Sequence, residues 1–272
     1  MIETLALLIL GIPFIVFTIN ALAIRYKFGS ESEISGFLNV IGMGTCLALS
    51  IFVIFNVSHI DNKYIFSWIS INGISLDFSL MVDSLTAIML VVVSGISFLV
   101  QIYSLGYMHG DKSYTRYFAY MALFTGSMLG LVLSRNILQL FIFWELVGVS
   151  SYLLIGFWHE RSSAAAAAKK AFIMTRLGDF GFLFSIIYLF NLDSSYMQIP
   201  ILYEAILDEN ISSRIATILA AGFLIGAIGK SAQFPLHNWL PDAMEGPTSV
   251  SALIHSDTMV TAGVFLVARL FP

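Results

Sequence analysis

Five ionisable residues stand where an ionisable side chain is hardest to keep. Glu145 lies inside the apolar run from Phe141 to Trp158, flanked by the small residues Gly148, Ser150 and Ser151. Arg176 and Asp179 are three residues apart in the next apolar run. Lys230 follows Gly222, Gly226 and Gly229, and His255 lies in the last run. A charge near the centre of a bilayer costs roughly 3 kcal/mol even on the gentler insertion scale. Helix formation asks for none of these groups. In a low-dielectric layer the charged form of a carboxyl or an amine is disfavoured, and an opposite charge beside it restores it. A Glu and a Lys that meet and part can therefore bind and release a proton without a cofactor, and a histidine can relay it.

Each residue also has a structural reading. Arg176 and Asp179 share a helix face and can neutralise each other. Lys230 can snorkel to an interface if its helix ends early. His255 can be a satisfied buried histidine. Glu145, in mid-helix, has nowhere to snorkel and is the hardest to explain away. Asp83 opens an apolar segment, where a carboxylate suits a helix N-terminus, and is read as structural.

The elements that must position these groups are membrane helices. Of the 272 residues, 58% are hydrophobic and only 11% charged, about half the charged share of soluble domains. The single cysteine, Cys46, excludes an intrachain disulfide and a zinc or iron–sulfur cluster built from this chain alone. A span needs about 20 apolar residues. That rule predicts eight, over 2–24, 35–57, 80–104, 116–134, 136–158, 170–192, 214–240 and 247–271. The first is too long and too poor in basic residues for a signal peptide. The alanine run Ala164–Ala168 reads as a helix start. Residues 58–79 read as a hairpin or interfacial segment, and 193–213 as a solvated acidic loop.

With the N-terminus outside, the inner edges hold Arg25, Lys27, Lys112, Arg116, Arg161, Lys169 and Lys170. The outer set is Lys63, Arg135, Arg214 and Arg269, so the basic excess favours this orientation. Counting along the helices puts Glu145 and Asp179 roughly 14 Å deep and His255 roughly 12 Å deep, nearly one level. Pro235 breaks the seventh span close to Lys230. A broken helix in lipid lines a polar cavity or is buried in protein. His237, Asp242 and Glu245 follow the break, as its polar mouth or as solvated charge.

The run from Gln139 to Trp158 resembles the signature of the antiporter-like, proton-translocating subunits of respiratory complex I. Arg176–Gly181, Gly229–Thr248, Ser251–His255 and Met259–Gly263 extend the resemblance, and Asp83–Leu90 fits the upstream region. The combination is most similar to the subunit L / subunit 5 family of NADH-quinone oxidoreductase. The resemblance implies an all-α membrane fold of two inverted five-helix repeats, each with a broken helix. Residues 1–115 would be an N-terminal three-helix region and 116–272, holding helices four to eight, the first repeat. It implies roles for Glu145 as key carboxylate, Lys230 as key lysine, Asp179 with Arg176 as modulating pair and His255 as a link in the polar axis.

It further implies a non-redox, proton-translocating subunit in an energy-transducing membrane, bacterial or mitochondrial, with no cofactor or metal of its own and no nucleic-acid partner. Its partners would be other membrane and peripheral subunits of complex I and the lipid bilayer. The alternatives are the large subunit of a multisubunit sodium/proton antiporter and a redox-passive scaffold. Members of the family are about twice as long, so the chain is expected to be an N-terminal portion lacking the second repeat and the lateral helix. Asp257 departs from the pattern, which has a small residue there, and should face away from His255.

Overall fold

The structure, a computed structural model, describes residues 2–57, 64–71, 74–256 and 259–271. Residues 64–71, 74–76, 255 and 256 are described by their backbone alone. Asp257 therefore lies outside the described residues, and so does the side chain of His255.

Among the described residues eight helices are long and apolar enough to cross a membrane. They are α1 (Ile2–Phe28), α2 (Ile34–Asn56), α3 (Ser84–Tyr107), α4 (Tyr114–Leu133), α5 (Ile137–Ile155), α6 (Ser162–Leu192), α7 (Ser213–Lys230) and α8 (Thr248–Leu270). The expected all-α membrane fold with a broken seventh helix is what the chain adopts. Its small sheet pairs β1 (Tyr64–Ile71) with β2 (Ile74–Ser79) in an antiparallel hairpin, one of the two forms expected there.

α4 is the hub, buried along nearly its whole length, and α1, α3 and α5 pack around it. A helix apolar all round belongs in such a place. On the outer side, backbone bonds sew three loops together. Met81 N–H donates to the Leu133 carbonyl (2.9 Å), Arg135 N–H to Ser79 (3.3 Å) and Ile199 N–H to Arg135 (3.1 Å). The turn between α4 and α5 is thereby held between the hairpin and the connection after α6. Asn136 starts α5 by accepting from Leu138 N–H at 2.8 Å.

Three expectations are corrected. The sixth span begins at Ser162, not 170, because the alanine run is the best of helix formers and extends α6 to 31 residues. The 193–213 connection is not merely solvated. It holds a helix, Ile199–Leu207, that buries Ile199, Leu202 and Ala205 along one face.

The third correction matters most. The seventh helix stops at Lys230, not near 240. Ala232 takes a left-handed backbone (φ 49°), and Pro235 prevents the helix from resuming. The carbonyls left bare at the end are met within the protein. Ser231 N–H bonds Ala227, Gln233 N–H bonds Ile228, and the buried indole of Trp239 donates to Gly229 at 3.1 Å. Irregular backbone is tolerated at membrane depth only with such partners.

The depth of the break follows from the crossing of α6 and α7. A Cβ on Gly178, near the midpoint of α6, would lie 2.9 Å from Gly229 Cα and 3.0 Å from the Ile225 carbonyl oxygen. Lys230 is thus level with the middle of α6. Backbone atoms cannot turn aside, so Gly178→Ala should force the helices apart and destabilise the protein by about 1–3 kcal/mol, as overpacking does. Gly95→Ala, whose new methyl meets only Leu47 at 3.6 Å, should be near neutral. Thermal unfolding of both variants in detergent checks the contrast, and equal losses would contradict the crossing.

Candidate functional site

α5, α6 and α7 bring four of the five expected residues into one cluster. Arg176, on α6, forms an ion pair with Glu145 on α5, and its guanidinium lies 3.6 Å from Asp179 one turn along its own helix. It also donates to the Glu145 carbonyl at 3.4 Å. Asp179 is buried and accepts from the Trp144 indole N–H at 2.6 Å. Lys230, fully buried at the end of α7, places its ammonium 5.5 Å from the Trp144 ring centre. One carboxylate and one cation, Asp179 and Lys230, therefore meet at one indole, and Arg176 links Asp179 to the second carboxylate, Glu145.

The ammonium of Lys230 makes no hydrogen bond and no ion pair within 4.0 Å among the described residues. Lys230 and Glu145, expected within direct or water-bridged reach of each other, make no direct ion pair. Arg176 occupies that place. Its planar fork suits a carboxylate better than an ammonium does, and α6 lies between α5 and α7 in the packing. Asp179 likewise keeps one carboxylate oxygen without a hydrogen bond. The cluster is neutral with all four groups ionised, yet three of its members, Arg176, Asp179 and Lys230, each keep a buried polar atom without a hydrogen bond among the described residues. Such a set can redistribute protons with little movement.

Gly148 makes the cluster possible. A Cβ there would lie 2.5 Å from the Lys230 ammonium and 2.6 Å from an Arg176 guanidinium nitrogen. Both cations rest on the bare backbone of α5, one turn from Glu145. The sequence reading had Gly148 as a close-approach residue but missed Trp144. The available signal was an indole in an apolar helix, whose N–H needs an acceptor when buried.

The inner mouth is built from the segment after the break. Lys170 of α6 pairs with Asp242 at 2.7 Å, and Ser163 donates to Glu245 at 2.9 Å. They border a polar pocket between the first turns of α6 and the 241–245 turn. His237 stacks loosely near Phe234, with ring centres 5.9 Å apart, away from that ion pair. His255 is on α8 by its backbone, within Thr248–Ser256.

A second buried charge, unforeseen, lies at the outer end of α8. Arg269 is 2% exposed and donates to Asp83 at 2.6 and 3.2 Å and to Thr86 Oγ1 at 2.6 Å. Asp83 also caps α3 by accepting from Thr86 N–H at 2.8 Å, as its position implied. Tyr203 donates to the Arg269 carbonyl.

Comparison with known proteins agrees with this geometry. A family model described as NADH:quinone oxidoreductase/Mrp antiporter, TM, matches residues 134–272. One described as NADH-Ubiquinone oxidoreductase (complex I), chain 5 N-terminus, matches residues 68–118. The chain is 47% identical over 271 residues to the chloroplastic NAD(P)H-quinone oxidoreductase subunit 5 of Mesostigma viride, covering 97% of this chain and 40% of that protein. It is 52% identical over 236 residues to the same subunit of Anthoceros angustus, covering 83% and 32%. A chain in the solved structure of an Mrp complex from a Dietzia species superimposes with a TM-score of 0.82 at 28% identity, covering 97% of this chain and 28% of that one. The chain spans about two fifths of the length of such curated relatives.

Proposed function

The chain belongs to the NADH:quinone oxidoreductase/Mrp antiporter family of transmembrane subunits, and on that premise we propose that it is part of a proton-translocating subunit of an NADH:quinone oxidoreductase. The observation that carries this reading is the charged cluster of Glu145, Arg176, Asp179 and Lys230 at the depth where α7 breaks. Residues 116–272 act as one antiporter-like repeat and 1–115 as the region beside it. The basic inner edge of the chain and the pocket at Lys170 and Asp242 mark the side of proton entry. Quinone and nicotinamide chemistry belongs to other subunits, and this chain moves protons in response to them.

The cluster also speaks for partner subunits. Glu145 and Arg176 keep 27% and 23% of their side-chain surface open. Charged groups at this depth face protein or water rather than lipid, so a neighbour or a further part of the protein covers that side. Proton movement is derived from the residues as follows. Arg176 holds the Glu145 carboxylate in an ion pair. The Lys230 ammonium has no ion pair within 4.0 Å among the described residues and so is not held in one place. When Arg176 turns fully to Asp179, Glu145 is free to attract a proton or the charged Lys230. His255, whose backbone belongs to α8, is proposed as the next link of the path.

The second reading, a sodium/proton antiporter subunit, is favoured by the likeness to the Mrp complex. Sealed vesicles carrying the full-length protein with its partner subunits separate the two. Our reading expects acidification of the lumen when NADH and quinone are supplied, at the same rate with or without sodium. Sodium-dependent collapse of an imposed pH gradient, with no response to NADH, establishes the antiporter instead.

A further inference from the structure

A second polar track runs through the protein away from the charged cluster. On one face of α3, Ser97, Gln101 and Ser104 recur at helical spacing and all are fully buried. They look onto α4 rather than onto lipid. Gln101 donates its amide N–H to Ser97 Oγ at 2.9 Å, and Ser97 Oγ lies 2.6 Å from Thr125 Oγ1 of α4. One step nearer the inner surface, Ser104 Oγ is 2.9 Å from the hydroxyl of Tyr117, which is 2.6 Å from Ser249 Oγ at the start of α8. The surface end is the exposed pair Tyr107 and Thr248, whose hydroxyls are 3.2 Å apart. The amide oxygen of Gln101 is buried and has no hydrogen-bond partner among the described residues. It stands one helical turn from Ser104 and so in the step between the two hydroxyl groups of the track.

We propose that this track is a second proton lead, binding water at the Gln101 amide oxygen and carrying protons from the inner surface past the first turn of α8 to Thr125 inside α4. The inference rests on the proton-translocating reading above and adds a route to it. Hydroxyls are suited to the task because each can accept a proton on one lone pair and release its own on the other side. Nothing is consumed in this passage: a proton enters at the Tyr107 end and a proton leaves at the Thr125 end. Ser249 and His255 belong to the same helical piece of α8, Thr248–Ser256. The track therefore meets that helix at its first turn, and its entry is separate from the mouth at Asp242. Polar contacts between membrane helices also serve as glue, worth about as much as ordinary hydrogen bonds. Glue, however, does not call for an orphaned buried acceptor, whose burial is unfavourable unless water meets it.

The test uses the full-length protein in its assembled complex, in sealed vesicles with a pH-sensitive dye. Tyr117→Phe interrupts the track with no change in shape, and Gln101→Met removes the water-binding oxygen. Each should slow proton translocation about tenfold, the factor that the loss of one buried hydrogen-bonded step allows. Ser185→Ala is the control, since Ser185 bonds the Leu219 carbonyl between α6 and α7 at 2.9 Å and is glue of the same kind off the track. It should translocate at the wild-type rate. A second readout is the slowing in heavy water, which should be larger for wild type than for Tyr117→Phe if protons pass through that hydroxyl. Wild-type rates in Tyr117→Phe and Gln101→Met overturn the track, as does an equal loss in Ser185→Ala. Should Tyr117→Phe fail to assemble, Thr125→Val at the deep end decides in its place. Glu145→Gln, run alongside, keeps the two claims apart: if it too pumps normally, the proton-translocating reading fails, and if it alone is blocked, only the track does.

Discussion

Lys230→Met should abolish proton translocation in the assembled complex, reducing it at least about tenfold, while the protein still inserts and assembles. The ammonium is fully buried, rests against the bare backbone of Gly148 and has no ion-pair partner within 4.0 Å among the described residues. Its removal therefore breaks no ion pair, and methionine fills nearly the same volume. A residue whose loss leaves the fold intact yet stops transport is acting in the transport step. Glu145→Gln behaves differently. It takes away the carboxylate held by Arg176 and leaves that guanidinium to Asp179, 3.6 Å away. Its transport loss should be similar in size but accompanied by some loss of stability, because removing one partner strands the other charge. Dye-monitored acidification and thermal unfolding, measured on both variants, give the two contrasts. Wild-type pumping by Lys230→Met would end the role assigned to the lysine.

Asp83→Ala should be the most destabilising single substitution at the outer surface. It leaves the charge of Arg269, 2% exposed, without a carboxylate, with Thr86, the Met81 sulfur and the Phe265 ring as its remaining side-chain partners, and it removes the cap of α3. Breaking a buried pair in this way costs roughly 3–5 kcal/mol. The lower end applies, since Asp83 itself keeps 39% of its side-chain surface. Arg269→Met is expected to cost less, because the carboxylate left behind can reach water. The double variant should recover part of the Asp83→Ala loss. Burial pushes the Asp83 carboxyl up, but the Arg269 guanidinium and the Thr86 N–H outweigh it and hold the group below its usual range. The contribution of the pair is thus fully present at neutral pH and is lost as pH falls through that lowered value. Unfolding in detergent across the acidic range measures both effects. A larger loss for Arg269→Met than for Asp83→Ala would reverse the argument.

The eight spans were legible because long apolar runs have no other use in a chain this poor in charge. The break in α7 was legible from Pro235, but not its position. Leu236, Trp239 and Leu240 extend the apolar run to 240, and only the structure shows Trp239 folded back onto the Gly229 carbonyl. The partners of Glu145 were not legible for a different reason. A helical count gives depth but not direction around the axis, so Arg176 and Lys230 could not be ranked. The crossing of α6 and α7 at Gly178 and Gly229 decides it. Arg269 was legible as a charge at the outer end of its span, but its burial against Asp83 was not, because that partner lies far away in the chain. The 199–207 helix was masked by Glu204 and Asp208, whose charges drew attention from Ile199, Leu202 and Ala205 on the opposite face.

The cluster is the centre of this account, and its members should behave as one unit. The most direct test is a double-mutant cycle of Glu145→Gln and Lys230→Met in the full-length complex, read as initial acidification rate in sealed vesicles. Residues in one electrostatic network couple by about 0.5–3 kcal/mol. The account predicts that the double variant loses much less than the sum of the two single losses. Losses that simply add would show that the carboxylate and the lysine work separately, and the shared site around Trp144 and Gly148 would not exist as described.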